Sequence, residues 1–467
     1  MIDIQKYRSP KCWGPFIPSL ILILVSIPYL ARPFWFDEVL TLGWLELDFF
    51  RIPFTYPIPN NHIIYTMLLS LWSRLTDSDF FAMRLLSLLG GCAVLCMITR
   101  YLIRRFGNFA GLCAASLLAV SGCMIQFSTA LRGYIFALFF CFAAFPAAER
   151  WIKRGGWCSP FFYFILCVLA VGVMPTSLFI LCGQALFFLP EIFRKGKRCM
   201  RTILTGLLPI PALLIAYAHI FDQLLAASKL KEGWCGWFAS YWNLYGSFLF
   251  LILPLIPAMF YGTAVLWKRF PSQRIRLISS GLIFLMPLFL SALAKVPPFP
   301  RIFFPFFGIW IVIFSMLLTP AARSGKRTVL LLLPVLIWIA LAPNLTPMIS
   351  NRLFGFRGDD LLHSYPMSEE FTPDKTAEFL KKQDESVFID FDSDPPSLSL
   401  QLIARDFPES KILYDRPDRG PVSSLDSSTL IVCGGEQALA GILRRFGLND
   451  NYECIFAQGM QKVYRKQ

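Results

Sequence analysis

The chain has 467 residues, of which 56% are hydrophobic, 16% aromatic and only 16% charged. Soluble domains carry about 25% charged residues, and this chain also holds many apolar runs long enough to cross a ~30 Å hydrocarbon core. That composition excludes a soluble enzyme, a disordered chain and a disulfide scaffold, and implies a polytopic α-helical membrane protein. The net charge of +14 does not indicate a nucleic-acid face, because 30 of the 44 Lys and Arg but only 11 of the 30 Asp and Glu precede Arg352. A basic excess in short loops between apolar helices is the positive-inside pattern, and no nucleic-acid partner is expected.

In chain order, apolar runs fall near 14–32, 62–75, 80–103, 109–127, 131–149, 160–174, 176–190, 202–221, 244–267, 277–294, 301–319 and 328–347. The first run lacks a small-residue cleavage site and reads as a retained helix. Arg104 and Arg105, Lys153 and Arg154, Arg194 to Arg201, Lys268 to Arg276 and Arg323 to Arg327 mark the cytoplasmic ends. On that placement 160–190 is a helical hairpin broken at Pro175, while 222–243, 294–300 and the tail after Leu345 lie outside. Lys6, Arg8 and Lys11 also read as inside, so run 62–75, short and carrying Arg74, is expected to cross incompletely. The total is about 11–13 transmembrane helices.

Residues 1–350 thus form a transmembrane domain whose outer loop, 33–61, is rich in Pro and Trp and lies in the interface. Residues 351–467 form a small extracytoplasmic α/β domain. There VFIDF and STLIVCGG read as buried strands, and TPDKTAEFLKKQ and GGEQALAGILRRFG as helices, the first opened by a Thr cap and a Pro. Most of the thirteen cysteines sit in apolar segments as small hydrophobes, with no C-x-x-C pair. Cys433 and Cys454 fall in the polar tail, where a disulfide is open but unsupported by spacing.

Asp37-Glu38, in PFWFDEVLT, places two carboxylates beside Phe34, Trp35 and Phe36. A carboxylate in a partly dry aromatic pocket has its pKa raised toward the general-base range; the plainer reading is a helix start decorated with acids. Asn61 and His62, after Pro59 and Asn60, can bind sugar hydroxyls or a phosphate oxygen, against a helix start with Asn61 as its cap. With only His62, His219 and His363 in the chain, a His-rich zinc site is not expected. Arg84 and Arg132 lie in or beside apolar helices, where a cation is costly unless paired or wet and so marks a site. Gly133 allows close approach and Tyr134 offers a hydroxyl. Lys295 and Arg301, in KVPPFPRIFFP, suit an anionic lipid phosphate or simply snorkel to headgroups. Trp234, Trp237 and Trp242 beside Lys229 and Lys231 make either a sugar platform or, more simply, an aromatic belt. Asp390, Asp392 and Asp394 lack the Gly and Glu of an EF-hand and read as a turn.

Taken in order, FWFDEVLT, NNHIIYTMLLSLW, FFAMRLLSLLGG, ALRGYIFAL and PRIFFPFFGIW resemble the GT-C superfamily of polytopic glycosyltransferases. The nearest resemblance is to the family 39-like branch, which includes protein O-mannosyltransferases and transferases of aminoarabinose and galacturonic acid. It covers roughly residues 15–320 and is best over 33–150. The resemblance implies an inverting glycosyltransferase moving a sugar from a polyprenyl-phosphate donor to a hydroxyl of a lipid, glycan or protein. Asp37 would be the general base, with Glu38 assisting the acceptor and Asn61 and His62 lining the pocket. Arg132, Tyr134 and Arg301 would face the donor, with Lys295 helping to neutralise the departing phosphate and Arg84 counted among the substrate-binding residues. The chain departs from the family pattern at His62-Ile63-Ile64, where His-Pro-Pro is common, and at Ala130, where an acid is common. No particular cofactor is implied, and a divalent metal stays open. The expected location is a bacterial inner membrane, with active site and tail on the outer side among membrane lipids. A transporter or flippase of lipid-linked glycans is the alternative; it should spread polar residues through midplane helices, whereas here they gather near one interface.

Overall fold

A computed structural model describes residues 13–30, 36–45, 47–56, 61–76, 80–156, 158–193, 196–223, 237–294, 300–322, 336, 373–390, 407, 411–413, 422–426, 428–449, 451–458 and 461–467. Two compact units emerge, one of Met1–Ala31 with Pro53–His363 and the other of Arg32–Ile52 with Ser364–Gln467.

The first unit is helical: α1 is Ile17–Leu30, and α2, Phe36–Trp44, belongs to the second unit. Then follow α3 (Ile63–Leu75), α4 (Phe80–Phe106), α5 (Asn108–Ala119), α6 (Gly122–Ser128), α7 (Tyr134–Arg154), α8 (Cys158–Val173) and α9 (Ser177–Phe187). The unit continues with α10 (Lys197–Leu207), α11 (Pro209–Tyr217), α12 (Trp237–Ile252), α13 (Ile256–Arg269), α14 (Arg274–Ala294) and α15 (Phe306–Ala322). Among the described residues five helices are long and apolar enough to span a membrane, six if the bent pair α5–α6 is one span, and five more are shorter apolar helices. Run 328–347 lies outside the described residues except for Leu336. Large apolar side chains face outward along the bundle, among them Leu24 at 61%, Phe161 at 67% and Phe260 at 74% exposure. A surface of that kind is stable only against lipid, and the chain is an integral membrane protein.

Several expectations hold in detail. The 160–190 hairpin turns between Val173 and Ser177, around Pro175. Helix α3 has 13 residues, about 20 Å of rise, too short to cross. Run 109–127 differs: it is two helices bent by 63° rather than one. Ser121 adopts an extended backbone there, and its side chain accepts from the Met124 N–H at 3.3 Å, starting α6 afresh.

Helices α4 and α7 run side by side in one direction. Near their starts the Ser87 hydroxyl donates to the Ala130 carbonyl at 2.6 Å. Near their ends Glu149 on α7 takes hydrogen bonds from Arg105 and, at 3.1 Å, from Tyr101, both on α4. One end of the bundle therefore carries Asn61, His62, Arg132 and Tyr134, and the other Arg104, Arg105, Lys153 and Arg154.

The second unit holds α16 (Pro373–Lys381), β1 (Val387–Ile389), β2 (Ile412–Leu413), β3 (Leu430–Cys433), α17 (Glu436–Phe446), β4 (Tyr452–Gln458) and β5 (Gln461–Lys466). The sheet order is β2-β1-β3-β5-β4, with β1 parallel to β2 and β3, and β5 antiparallel to β3 and β4. Alternation sorts the strand side chains: Val387, Ile389, Leu430 and Val432 pack with Leu380 of α16, while Phe388, Ile431 and Cys433 pack with Leu439 and Leu443 of α17. Among the described residues the result is an α/β sandwich with α16 on one face and α17 on the other. Gly447, at φ +63, closes α17 in the left-handed conformation, and the Leu448 N–H reaches back to the Leu443 carbonyl at 2.9 Å. Cys433 and Cys454 are free thiols, and the strand order explains it. They sit on β3 and β4, on opposite sides of β5 and two residues out of level, opposite Lys462 and Tyr464, so their backbones lie farther apart than two strand spacings of about 9–10 Å, beyond the ~7 Å reach of a disulfide.

In the first unit α13 meets α15 backbone to backbone: a Cβ on Gly262 would stand 1.7 Å from the Leu317 carbonyl oxygen. Gly262→Ala should therefore force the helices apart and cost about 1–3 kcal/mol. Gly281→Ala on α14, where a Cβ meets nothing within 4 Å, should leave stability unchanged or slightly raised. Thermal unfolding of both variants in one detergent checks the pair.

Candidate active site

The site end of the first unit is built on a short loop before α3. Its backbone is held from α11 and the chain just after it. The His219 Nε2 lies 2.9 Å from the Pro53 carbonyl, which can only accept, so that nitrogen carries the proton. Gln223 grips the next turn twice, donating to the Phe54 carbonyl at 3.0 Å and accepting from the Tyr56 N–H at 2.6 Å. Tyr56 is buried edge-on against Tyr217, ring centroids 5.8 Å apart, in an apolar cluster with Ile63 and Ile220. Asn61 closes the loop: its amide donates to the Thr55 carbonyl at 2.8 Å, and its side-chain oxygen accepts from the Thr66 hydroxyl at 3.0 Å. His62, not Asn61, occupies the cap position of α3, and its side chain makes no capping bond.

Facing this loop is the chain that enters α7. Gly133 sits so near His62 and Val173 that a Cβ there would come within 2.8 Å of both. That approach lets the His62 and Tyr134 rings meet edge to face at 4.9 Å. The Arg132 guanidinium carbon is 5.8 Å from the Tyr134 centroid, and Arg132 itself is only 1% exposed. Below the turn, the one hydroxyl hydrogen of Ser87 goes to the Ala130 carbonyl, so the Tyr65 hydroxyl, 2.9 Å away, donates to Ser87. Ala130, where the family pattern commonly has an acid, is itself fully buried. Phe127 of α6 stacks obliquely on Tyr134 at 4.6 Å and on Phe304 at 4.8 Å. Phe304 follows the short 3-10 helix Pro300–Phe303, which carries the buried Arg301.

Asn61, His62, Arg132 and Tyr134 are thus brought together, with Arg301 joined to them through an aromatic chain. Tyr56, which the sequence reading passed over, belongs with them. Burial pushes its phenol well above the usual range, while the charge of Arg132 acts in the opposite sense. The phenol therefore stays protonated and can donate. Its neighbour Tyr217 has a buried hydroxyl with no hydrogen-bond partner among the described residues. The signal for Tyr56 was its place in TYPIP, directly before Asn60-Asn61-His62.

The remaining expected residues are partly placed and partly outside the described residues. Arg84, 2% exposed, donates to the Leu30 carbonyl at 2.8 Å, setting a cation on the negative end of α1. Asp37 and Glu38 lie in the first turn of α2 in the second unit; Glu38 is buried, and the Asp37 side chain is outside the described residues. Lys295, Lys229, Lys231 and Trp234 are also outside them, as are the side chains of Trp237 and Trp242. Asp390 is buried at the end of β1, and Asp392 and Asp394 are not described. Among the described residues no group of three or more His, Cys, Asp or Glu could hold a metal ion.

A buried guanidinium bordered by two tyrosines and an imidazole can hold an anionic oxygen and a polyol together. Comparison with known proteins bears on the scaffold. No family model matches the sequence, and no curated protein matches it. Among solved structures, ArnT from Cupriavidus metallidurans in the apo state is similar over 96% of this chain and 97% of that one, with TM-score 0.56 at 12% identity. ArnT from the same organism bound to undecaprenyl phosphate is similar over 97% and 98%, with TM-score 0.55 at 12% identity. The chain shares the ArnT fold. At that identity the likeness is one of architecture: the polytopic helical chain with a small α/β unit that the sequence predicts.

Asn61→Ala should release the loop by removing its bonds to Thr55 and Thr66. Amide hydrogen exchange over residues 53–66 is expected to accelerate about tenfold or more, the equivalent of one to two net hydrogen bonds, while α8 and α9 keep their protection. Tyr217→Phe removes a hydroxyl that has no partner and should leave stability equal or up to about 1–3 kcal/mol higher, read by thermal unfolding.

Proposed function

We propose that the protein is an inverting glycosyltransferase that takes a sugar from a polyprenyl-phosphate donor to a hydroxyl acceptor at the outer face of the membrane. The observation that carries this reading is the likeness to ArnT along nearly the whole chain, one of those structures being bound to undecaprenyl phosphate. The residues support it from below. Arg132, buried beside the Tyr134 ring, and Arg301, buried in the turn before Phe304, have the chemistry to hold a lipid phosphate, and Arg does so as a bidentate fork. Tyr56, Tyr134, Asn61 and His62 offer donors and acceptors suited to sugar hydroxyls.

In the proposed reaction Asp37 takes the proton of the acceptor hydroxyl as its oxygen bonds to the anomeric carbon. The bond from that carbon to the phosphate oxygen breaks with inversion, and polyprenyl phosphate leaves carrying its charge. The arginines stabilise that charge as it develops. The role of Asp37 rests on FWFDEVLT, and the outer-face assignment rests on the basic clusters at the opposite end of the bundle.

The test uses purified protein with a panel of polyprenyl-phosphate sugars. Asp37→Asn should lose transfer by about 100-fold or more, the usual share of a general base, while still binding donor. Arg132→Gln should instead weaken donor binding. Failure of the wild-type protein to bind any polyprenyl-phosphate sugar would overturn the reading.

A further inference from the structure

The end of the bundle opposite the candidate site carries a second charged cluster that the proposed reaction does not use. Glu149 on α7 receives Arg105 of α4, Lys153 of its own helix at 2.6 Å and the Tyr101 hydroxyl at 3.1 Å. Its side chain is 11% exposed. Glu191, in the turn after α9, lies 3.7 Å from Arg198 and is 2% exposed. Between them stands Arg276 of α14, within electrostatic reach of Glu149, Glu191, Tyr101 and Arg105. Its Nη1 donates to Gln273 at 2.8 Å, and its guanidinium carbon lies 5.4 Å from the Phe187 centroid. The Arg276 Nε is buried without an acceptor, and among the described residues Arg276 is in no ion pair.

Among the described residues four cations, Arg105, Lys153, Arg198 and Arg276, therefore share two carboxylates, Glu149 and Glu191. Two positive charges are left in a half-buried place. Positive-inside topology explains why cations are at this end. It does not explain why a guanidinium is drawn inward with one N–H unanswered, because a snorkelling arginine would turn that group to water. Partly buried excess charge is stable when an anion enters to balance it. The neighbouring surface is apolar, with Ile278 at 54% and Trp267 at 43% exposure, and Arg274 lies over the Trp267 ring at 5.4 Å. An anion carried on acyl chains fits both surfaces at once.

We infer that the ends of α4 and α7, the turn after α9 and the start of α14 form a binding site for a phosphate anion, that of an anionic phospholipid headgroup. Arg276 and Lys153 are its principal donors. Glu149 gathers Arg105 and Lys153 on one carboxylate oxygen and so fixes their place at the site, and the site stands independently of the transferase reading.

The experiment uses the purified full chain in neutral detergent. It is titrated with phosphatidylglycerol, with phosphatidylcholine of the same acyl chains and with inorganic phosphate, reading thermal unfolding and the number of bound lipids by native mass spectrometry. Phosphatidylglycerol is expected to raise the unfolding temperature and stay bound where phosphatidylcholine does not. Arg276→Gln should weaken phosphatidylglycerol about tenfold or more, the scale of one charge-assisted hydrogen bond, and Arg276→Lys should retain most of it. Lys153→Gln reads the same loss from the other side if Arg276→Gln does not fold. An equal response to inorganic phosphate keeps the anion site but assigns it to a soluble phosphate. Equal action of the two lipids, or a full response in both the Arg276→Gln and Lys153→Gln proteins, overturns the inference.

Discussion

The placement of α7 against α4 is the constraint on which both ends of the bundle depend. Two helices can slide or rotate along a smooth apolar seam with little change in buried area. Here the seam is tied at both ends by polar groups that have no good alternative in lipid. At one end a serine hydroxyl meets a backbone carbonyl left open by the irregular turn before α7. At the other an ionised carboxylate is met by a guanidinium, an ammonium and a phenol. An unpaired carboxylate at that depth would be costly by several kcal/mol, so the register of α7 on α4 is set by the need to keep Glu149 in company. Once that register is set, Gly133 and Arg132 arrive beside His62 without further adjustment.

The candidate site itself is held through backbone carbonyls more than through side-chain pairs. Pro53 and Phe54 give carbonyls to side chains from beyond α11, Thr55 gives one to Asn61 of the same loop, and Ala130 gives one to Ser87. Such bonds do not depend on what residue supplies the carbonyl. The loop can thus change its side chains while keeping its path, and the side chains that point away from the handles are left to meet a substrate. Low sequence identity to a protein of the same fold is compatible with that mode of support.

Much of this was legible in the sequence because membrane and sheet periodicities are strong local signals. The hairpin at Pro175, the short run carrying Arg74 and the two buried strands β1 and β3 of the tail all follow from patterns confined to a few residues. What was not legible depended on distant partners. Val120-Ser121 interrupts an apolar run without changing its average hydropathy, so the bend between α5 and α6 escaped, although Ser121-Gly122 is a turn signal by itself. Tyr56 is tied to residues more than 160 positions away, and nothing local announces that. A membrane arginine is costly anywhere and so marks a site, but that one N–H of Arg84 ends α1 depends on a carbonyl 54 positions away. The cysteine pair in the tail was undecidable until the strand order put β5 between them.

The contact at Gly262 has a mechanical consequence. Where two helices touch through side chains, each can rotate about its axis by letting rotamers change. Where a glycine presses directly on a carbonyl there is no compliant layer, and rotation of either helix would drive backbone into backbone. Helices α13 and α15 therefore turn as one stiff member. Because α15 begins five residues after Arg301, the short turn bearing that arginine is mounted on a rigid strut rather than on a single flexible rod.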